Sequence, residues 1–284
     1  MAEATDNTDS ESSRPLWLGW RILGIALLSY FGLVLLLKFL ENRFVYFPSP
    51  WPSDQDIVLP DYMHDVHFDT ASGVSLHGWH LAHPEPRAHV LFLHGNAGNL
   101  AGRKIMLERL HDTHGLDVFA FDYRGYGKSA GRPTEAANIS DARRARQVYA
   151  DMAGIPESEV VLMGRSLGGA IAVALAAEDG ARGLVLQSTF TSLPDMAARQ
   201  FPWLPVRMMM KNRYLSIDKL PDYQGPLLYS HSEDDTIIPY AMGKALFSVA
   251  NEPKEFFRMS GRGHNDPQSP EYDSALIDFL DSLP

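Results

Sequence analysis

A serine hydroxyl is a poor nucleophile at neutral pH unless a base takes its proton and a third group holds that base in the right tautomer. Ser166 lies in Gly164-Arg165-Ser166-Leu167-Gly168, a G-x-S-x-G arrangement. It follows the apolar run 160–163 and opens an alanine-rich stretch over 167–178. Strand, sharp turn, helix is the context in which this motif presents a serine at a strand's carboxyl end. The glycines are required because a side chain at 164 or 168 would meet neighbouring backbone. The helix start aims N–H groups and the positive end of its dipole at the reaction site. Leu167, the residue after the serine, supplies one oxyanion-stabilising N–H in such a turn.

The base and acid follow the serine in this chain order, acid first. Of eleven histidines only His231 and His264 do so. His264 lies in a glycine-containing loop over 261–266, between the apolar run 255–258 and a final helical pattern, and is read as the base. His231, just beyond the run 226–229, is assigned a structural role. Glu233, Asp234 and Asp235 all follow that run, and spacing does not choose among them. A second oxyanion N–H is expected from the loop His94-Gly95-Asn96-Ala97-Gly98-Asn99, which ends the buried run 89–93. That loop holds no G-x-x-x-x-G-K-[ST] or G-x-G-x-x-G phosphate signature.

The elements that must hold these residues are legible as alternating patterns. Strands are expected over 64–70, 74–82, 89–93, 117–121, 160–163, 183–187, 226–229 and 255–258. Helices are expected over 99–113, 134–152, 167–178, 240–250 and 270–282, with Thr134 as an N-cap. Strand–helix alternation implies βαβ units and a largely parallel sheet covered on both faces, and the opening hairpin around 71–73 makes it mixed. The expected class is α/β. A small cap falls at about 188–225, where Trp203, Leu204 and Met208 are candidates to line an acyl-chain groove, set against simple packing of short helices.

Composition narrows the rest. The 284 residues are 45% hydrophobic and 21% charged, with no cysteine, which excludes disulfide scaffolds, cysteine nucleophiles and Cys-ligated metal sites. A net charge of −10 argues against nucleic acid as a partner. His64 with His67, and His77 with His80 and His83, invite a metal reading. Three-residue spacing on a strand sends side chains to opposite faces, so no metal and no cofactor are expected. Residues 22–37 carry no charge. With their flanks they form a transmembrane anchor over 16–40, bounded by Arg21 and Lys38 with Trp17 and Trp20 at the interface. The acidic start and the absence of a cleavage site argue against a signal peptide. Arg14 and Arg21 on one side balance Lys38 and Arg43 on the other, so orientation is undetermined. The expected organisation is a disordered segment over 1–15, the anchor, a linker over 41–60 and one α/β domain over 61–284.

The chain resembles the α/β-hydrolase superfamily, and within it the membrane-anchored branch of Bem46-like, ABHD17-like and ABHD13-like proteins. The matching blocks run from Phe44-Val45-Tyr46-Phe47-Pro48 through Leu76-His77-Gly78-Trp79, Leu93 to Asn99, Asp122 to Gly127, Gly164 to Gly169, Ser188 to Ser192 and His231 to Pro239, and end at Gly263-His264-Asn265-Asp266. The resemblance implies Asp235 as the acid, because the pattern G-x-x-D-x-x-V-P falls on residues 232–239. It also implies Asn96 and Leu167 as the oxyanion N–H groups. Ser232 departs from the usual glycine, and Arg262 interrupts a glycine run. The expectation is a membrane-anchored serine hydrolase acting on an acyl ester or thioester substrate, with lipid contacted through the N-terminal helix. An amidase or peptidase on the same residues, or a non-catalytic membrane-anchored binding protein, are the alternatives.

Overall fold

The computed structural model describes residues 16–52 and 57–284. The expected disordered segment 1–15 and residues 53–56 of the expected linker lie outside the described residues. The chain divides into two compact units, one ending at Glu41 and one spanning Asn42–Pro284.

Helix α1 (Leu16–Val45) dominates the first unit. At ~1.5 Å per residue it extends about 45 Å, more than the ~30 Å of a bilayer's hydrocarbon. Its apolar side chains are exposed, Leu28 at 73% and Ile25 at 64%, unlike those of a buried core helix. Among the described residues it is the one helix long and apolar enough to cross a membrane. It outruns the expected 16–40 because no glycine or proline interrupts residues 33–47.

The second unit is built on eight strands: β1 (Met63–Asp69), β2 (Ser75–Leu81), β3 (Ala88–Leu93), β4 (Leu116–Phe121), β5 (Val160–Arg165), β6 (Leu184–Gln187), β7 (Leu227–Ser232) and β8 (Lys254–Met259). They lie in the order β1-β2-β4-β3-β5-β6-β7-β8. β1 and β2 pair antiparallel, as do β2 and β4, and the other neighbours are parallel. Alternate side chains feed two cores. Leu91, Leu93, Leu162 and Leu186 pack with α3 (Glu135–Ala153) and α4 (Leu167–Asp179). Val90, Phe92, Val161 and Val185 pack in the other core, together with Leu107 of α2 (Lys104–Asp112) and, near the carboxyl terminus, Tyr272, Leu276 and Phe279. Thr134 caps α3, its hydroxyl accepting the Ala137 N–H at 3.2 Å. Between β6 and β7 lie three short helices, α5 (Leu193–Gln200), α6 (Val206–Met209) and α7 (Ser216–Lys219), in the expected cap region. α8 (Tyr240–Ser248) and α9 (Pro270–Asp281) complete the unit.

One expectation needs correction, and strand pairing adds to another. Residues 41–60 are not a loose linker where they are described. The Tyr46 hydroxyl is buried against Asn212 and Tyr214, and the Asn99 side chain donates to the Ser49 and Pro50 carbonyls at 3.2 and 2.9 Å. Pro48 and Pro50 run as extended chain beside Gly98 and Gly127, where missing N–H groups cost no ladder bond. The addition concerns the strand histidines. Spacing within a strand does separate them, but β1–β2 register sets His67 opposite His77. Ligand atoms of Asp65, His67 and His77 then fall within 4.8 Å of one another. Cross-strand pairing, invisible to a single-strand argument, made that cluster, and Lys128 Nζ stands 3.4 Å from the Asp65 carboxylate.

Asn99→Ala removes the two side-chain bonds to the 49–50 backbone and leaves the Ser49 N–H on the Gly98 carbonyl and the Gly127 N–H on the Ser49 carbonyl. The expected cost is about 1–3 kcal/mol, read as a lower melting temperature with new protease cleavage near residues 49–52. An unchanged melt and digest would mean that the segment is held by something else.

Candidate active site

Ser166 sits between β5 and α4 with φ 54° and ψ −118°, a positive φ that a side-chain-bearing residue rarely adopts. Surrounding structure must hold such a residue, and strain of this kind concentrates at functional sites. The Ser166 N–H donates to the Gln187 carbonyl at 2.9 Å, and the Thr189 hydroxyl donates to the Ser166 carbonyl at 2.7 Å. A Cβ on Gly168 would lie 1.9 Å from the Leu93 carbonyl oxygen, and one on Gly164 would lie 2.4 Å from that of Gly168. The turn therefore presses against the end of β3. Leu167 opens α4, so its N–H is a first-turn donor with no partner inside the helix.

The end of β3 carries the 94–99 loop. The Asn96 side chain is a tether: its Oδ1 accepts from the Tyr126 hydroxyl at 2.7 Å and the Ala97 N–H at 2.9 Å, while its Nδ2 donates to the Val45 carbonyl at 2.6 Å. Ala97, at φ 71°, is another positive-φ residue. The His94 ring is fully buried, and burial holds its pKa below the ordinary value, so the ring is neutral as it donates from Nδ1 to the Gly95 carbonyl at 2.7 Å.

Three acids competed in the sequence, and the structure separates them. Glu233 faces outward to Arg258, and Asp234 accepts the Gly261 N–H at 2.5 Å. Asp235 alone is buried against a histidine, with Oδ2 2.7 Å from His264 Nδ1. Its Oδ1 accepts the Ile237 and Ile238 N–H groups at 2.9 and 2.8 Å. Burial by itself would raise this carboxyl's pKa. Hydrogen bonds from His231, His264 and the Ile238 N–H outweigh it and hold the group well below the usual carboxylate range.

Sequence reasoning underrated two neighbours. His231 Nε2 lies 3.3 Å from Asp235 Oδ2 while donating to the Ile238 carbonyl at 2.9 Å. The i, i+4 spacing of His231 and Asp235 was the available signal. Arg165, the first variable residue of the motif, donates from Nη2 to the carbonyls of His264 at 2.5 Å and Asp266 at 3.2 Å. The departure at Ser232 also acquires a purpose: its hydroxyl donates to the Arg262 carbonyl at 2.5 Å, tying β7 to the His264 loop. Arg262 itself turns to the Pro267 carbonyl.

Ser166, His264 and Asn96 line one cavity of about 510 Å³ with Phe47, Met106 and Ile237 as apolar walls. Trp203, Leu204 and Met208 are absent from its lining, and Met208 is 87% exposed. The short α5–α6 segment leaves those three residues outside this cavity, whose apolar wall comes from the 44–48 block, α2 and the 235–239 loop.

The family described as serine aminopeptidase, S33 (Hydrolase_4), matches residues 84–218. The α/β-hydrolase domain-containing protein WAV2 of Arabidopsis thaliana is 31% identical, covering 77% of this chain and 78% of that protein. Protein bem46 of Schizosaccharomyces pombe is 32% identical over 69% of this chain and 68% of its own. The chain belongs to the α/β-hydrolase superfamily, among its Bem46-like members. Among solved structures, an esterase of Pyrococcus furiosus shares the fold with a TM-score of 0.66 at 21% identity, covering 83% of this chain and 99% of that one.

Because the Asp235 carboxyl lies below its unfolded value, its contribution to stability is complete above about pH 4 and disappears as pH falls through the folded value. Asp235→Asn is expected to lower stability by about 2–4 kcal/mol at pH 7. It should also lose less between pH 5 and pH 3 than the parent does, measured by thermal melts in detergent. Parallel pH profiles for the two proteins would contradict the assignment of a depressed carboxyl.

Proposed function

We propose that the protein is a serine hydrolase that cleaves carboxylic esters or thioesters and is anchored to a membrane by α1. The observation that carries this reading is the buried Asp235–His264 hydrogen bond, with His264 sharing one cavity with a serine in a strained turn. Asp235 fixes the proton on His264 Nδ1 and leaves Nε2 to act as base. Ser166 Oγ attacks the acyl carbonyl as its proton passes to His264. The tetrahedral oxyanion is held by the backbone N–H groups of Asn96 and Leu167. Collapse expels the alcohol or thiol, which takes the proton from His264. Water then attacks the acyl-enzyme with His264 again as base, releasing the acid and restoring the serine.

The apolar walls at Phe47, Met106 and Ile237 support an acyl chain as the group bound there. A helix of membrane-crossing length supports substrates that partition into lipid, such as lipid esters or acylated membrane proteins. The aminopeptidase description of the matching family supports a second reading, amide cleavage by the same groups.

In detergent, Ser166→Ala is expected to abolish both fluorophosphonate labelling and short-chain ester hydrolysis. Survival of both would end the serine mechanism, and a wild type that takes no label would favour a binding role. Aminoacyl anilides assayed beside acyl esters decide between the two bond types. Asn96→Ala leaves the backbone donor in place but releases its tether. A loss of roughly 10- to 100-fold in kcat with little change in KM is expected, below the ~10²–10³ for removing an oxyanion donor outright because the backbone N–H remains; a pure KM effect would deny it that role.

A further inference from the structure

The cavity that holds Ser166 also holds two guanidinium groups, Arg103 and Arg165, and no aspartate or glutamate among its lining residues. Both line an adjoining cavity of about 310 Å³ as well, so they stand where the two spaces meet. Neither is in an ion pair with any carboxylate among the described residues; Asp122 acts on Arg103, and Asp235 and Asp266 on Arg165, only from beyond pairing distance, and Asp273 in the adjoining cavity is taken by Arg109. Their hydrogen bonds go to backbone carbonyls instead. Arg103 donates from Nη2 to Ala97 at 3.1 Å, and Arg165 uses Nη2 for His264 and Asp266. Arg103 Nε is buried with no hydrogen-bond partner. An orphaned buried donor on a charged group is costly, and folded chains rarely leave one without use.

Burial holds both guanidiniums below their ordinary pKa, and the charge of Arg103 adds to the lowering at Arg165. Two partly desolvated like charges beside a nucleophile are relieved by an anion between them. A carboxylate or phosphate suits the planar donor fork of arginine. The oxyanion of the tetrahedral intermediate has its own proposed donors at Asn96 and Leu167, so this charge is available to a permanent anion on the substrate.

We propose that Arg103 and Arg165 form an anion subsite, and that the natural substrate is an ester carrying a carboxylate or phosphate close to the scissile bond. This rests on the serine-hydrolase reading and narrows its substrate class. Arg103 is the residue to test, because Arg165 also holds the His264 loop.

The experiment uses the full chain in neutral detergent and two matched pairs of esters. 4-Nitrophenyl hemisuccinate against 4-nitrophenyl butyrate places a carboxylate on the acyl side. A 1-acyl-glycerol 3-phosphate against the monoacylglycerol of the same chain places a phosphate on the alcohol side. At least one anionic ester is expected to be preferred by about tenfold or more in kcat/KM, the scale of one charge-assisted hydrogen bond. Which pair responds identifies the anion. Arg103→Gln should bring that preference close to unity mainly through KM, Arg103→Lys should restore part of it, and added salt should weaken it. Equal losses for charged and neutral esters, leaving the preference intact, would overturn the subsite. A readout without turnover separates the two claims: calorimetric titration of Ser166→Ala protein with monomethyl succinate and with glycerol 3-phosphate. Binding that Arg103→Gln weakens by about tenfold, with no ester hydrolysed by the wild type, would sustain the subsite and sink the hydrolase reading. Hydrolysis with no anionic preference and no binding would do the reverse.

Discussion

The close approach of the Ser166 turn to the end of β3 is the constraint on which the site depends. With a gap too small for a Cβ at Gly168 against the Leu93 carbonyl, β5 and β3 must end side by side. That contact brings a serine held at positive φ next to the loop that bears Asn96. Parallel pairing supplies the alignment, because neighbouring parallel strands deliver their carboxyl ends to the same edge. β7 pairs with β6, which pairs with β5, and so the 233–239 loop arrives at that edge too. The His264 loop follows β8, the next strand across.

Charge is distributed over this edge in two different ways. Around Asp235 it is compensated: two histidines and two backbone N–H groups satisfy a carboxylate whose pKa burial alone would raise. Around Arg103 and Arg165 no acid forms an ion pair among the described residues; Asp122 and, at Arg165, Asp235 and Asp266 offset the charge only from a distance, and backbone carbonyls take only part of the donor capacity. The first arrangement stabilises the protein and fixes a tautomer. The second is the basis of the proposed anion subsite. A net negative protein with a locally positive cavity concentrates field at one spot, which bears on specificity more than on fold.

Most of the strand and helix pattern was legible because buried parallel strands are short apolar runs and the helices between them carry caps and periodic apolar faces. The G-x-S-x-G turn was legible because its glycines answer a local steric demand. The 41–60 segment was misread since proline and aspartate describe local stiffness and polarity, whereas the partners of Tyr46, Ser49 and Pro50 lie far along the chain at Asn212, Gly98 and Asn99. Trp203 and Met208 lie outside the lining of the Ser166 cavity for a related reason: apolar character says nothing about which cavity a short helix reaches.

The sequence by itself determined the α/β class, the serine with its turn, the long apolar helix near the amino terminus and the order in which Asp235 and His264 follow Ser166. These are properties of neighbours along the chain, governed by periodicity, steric demand and turn chemistry. Only the tertiary structure decided which of three acids meets His264, that His67 faces His77, and that two arginines without acidic partners share a cavity with Ser166. Those outcomes depend on strand register and loop packing, where a shift of one residue turns a side chain to the opposite face.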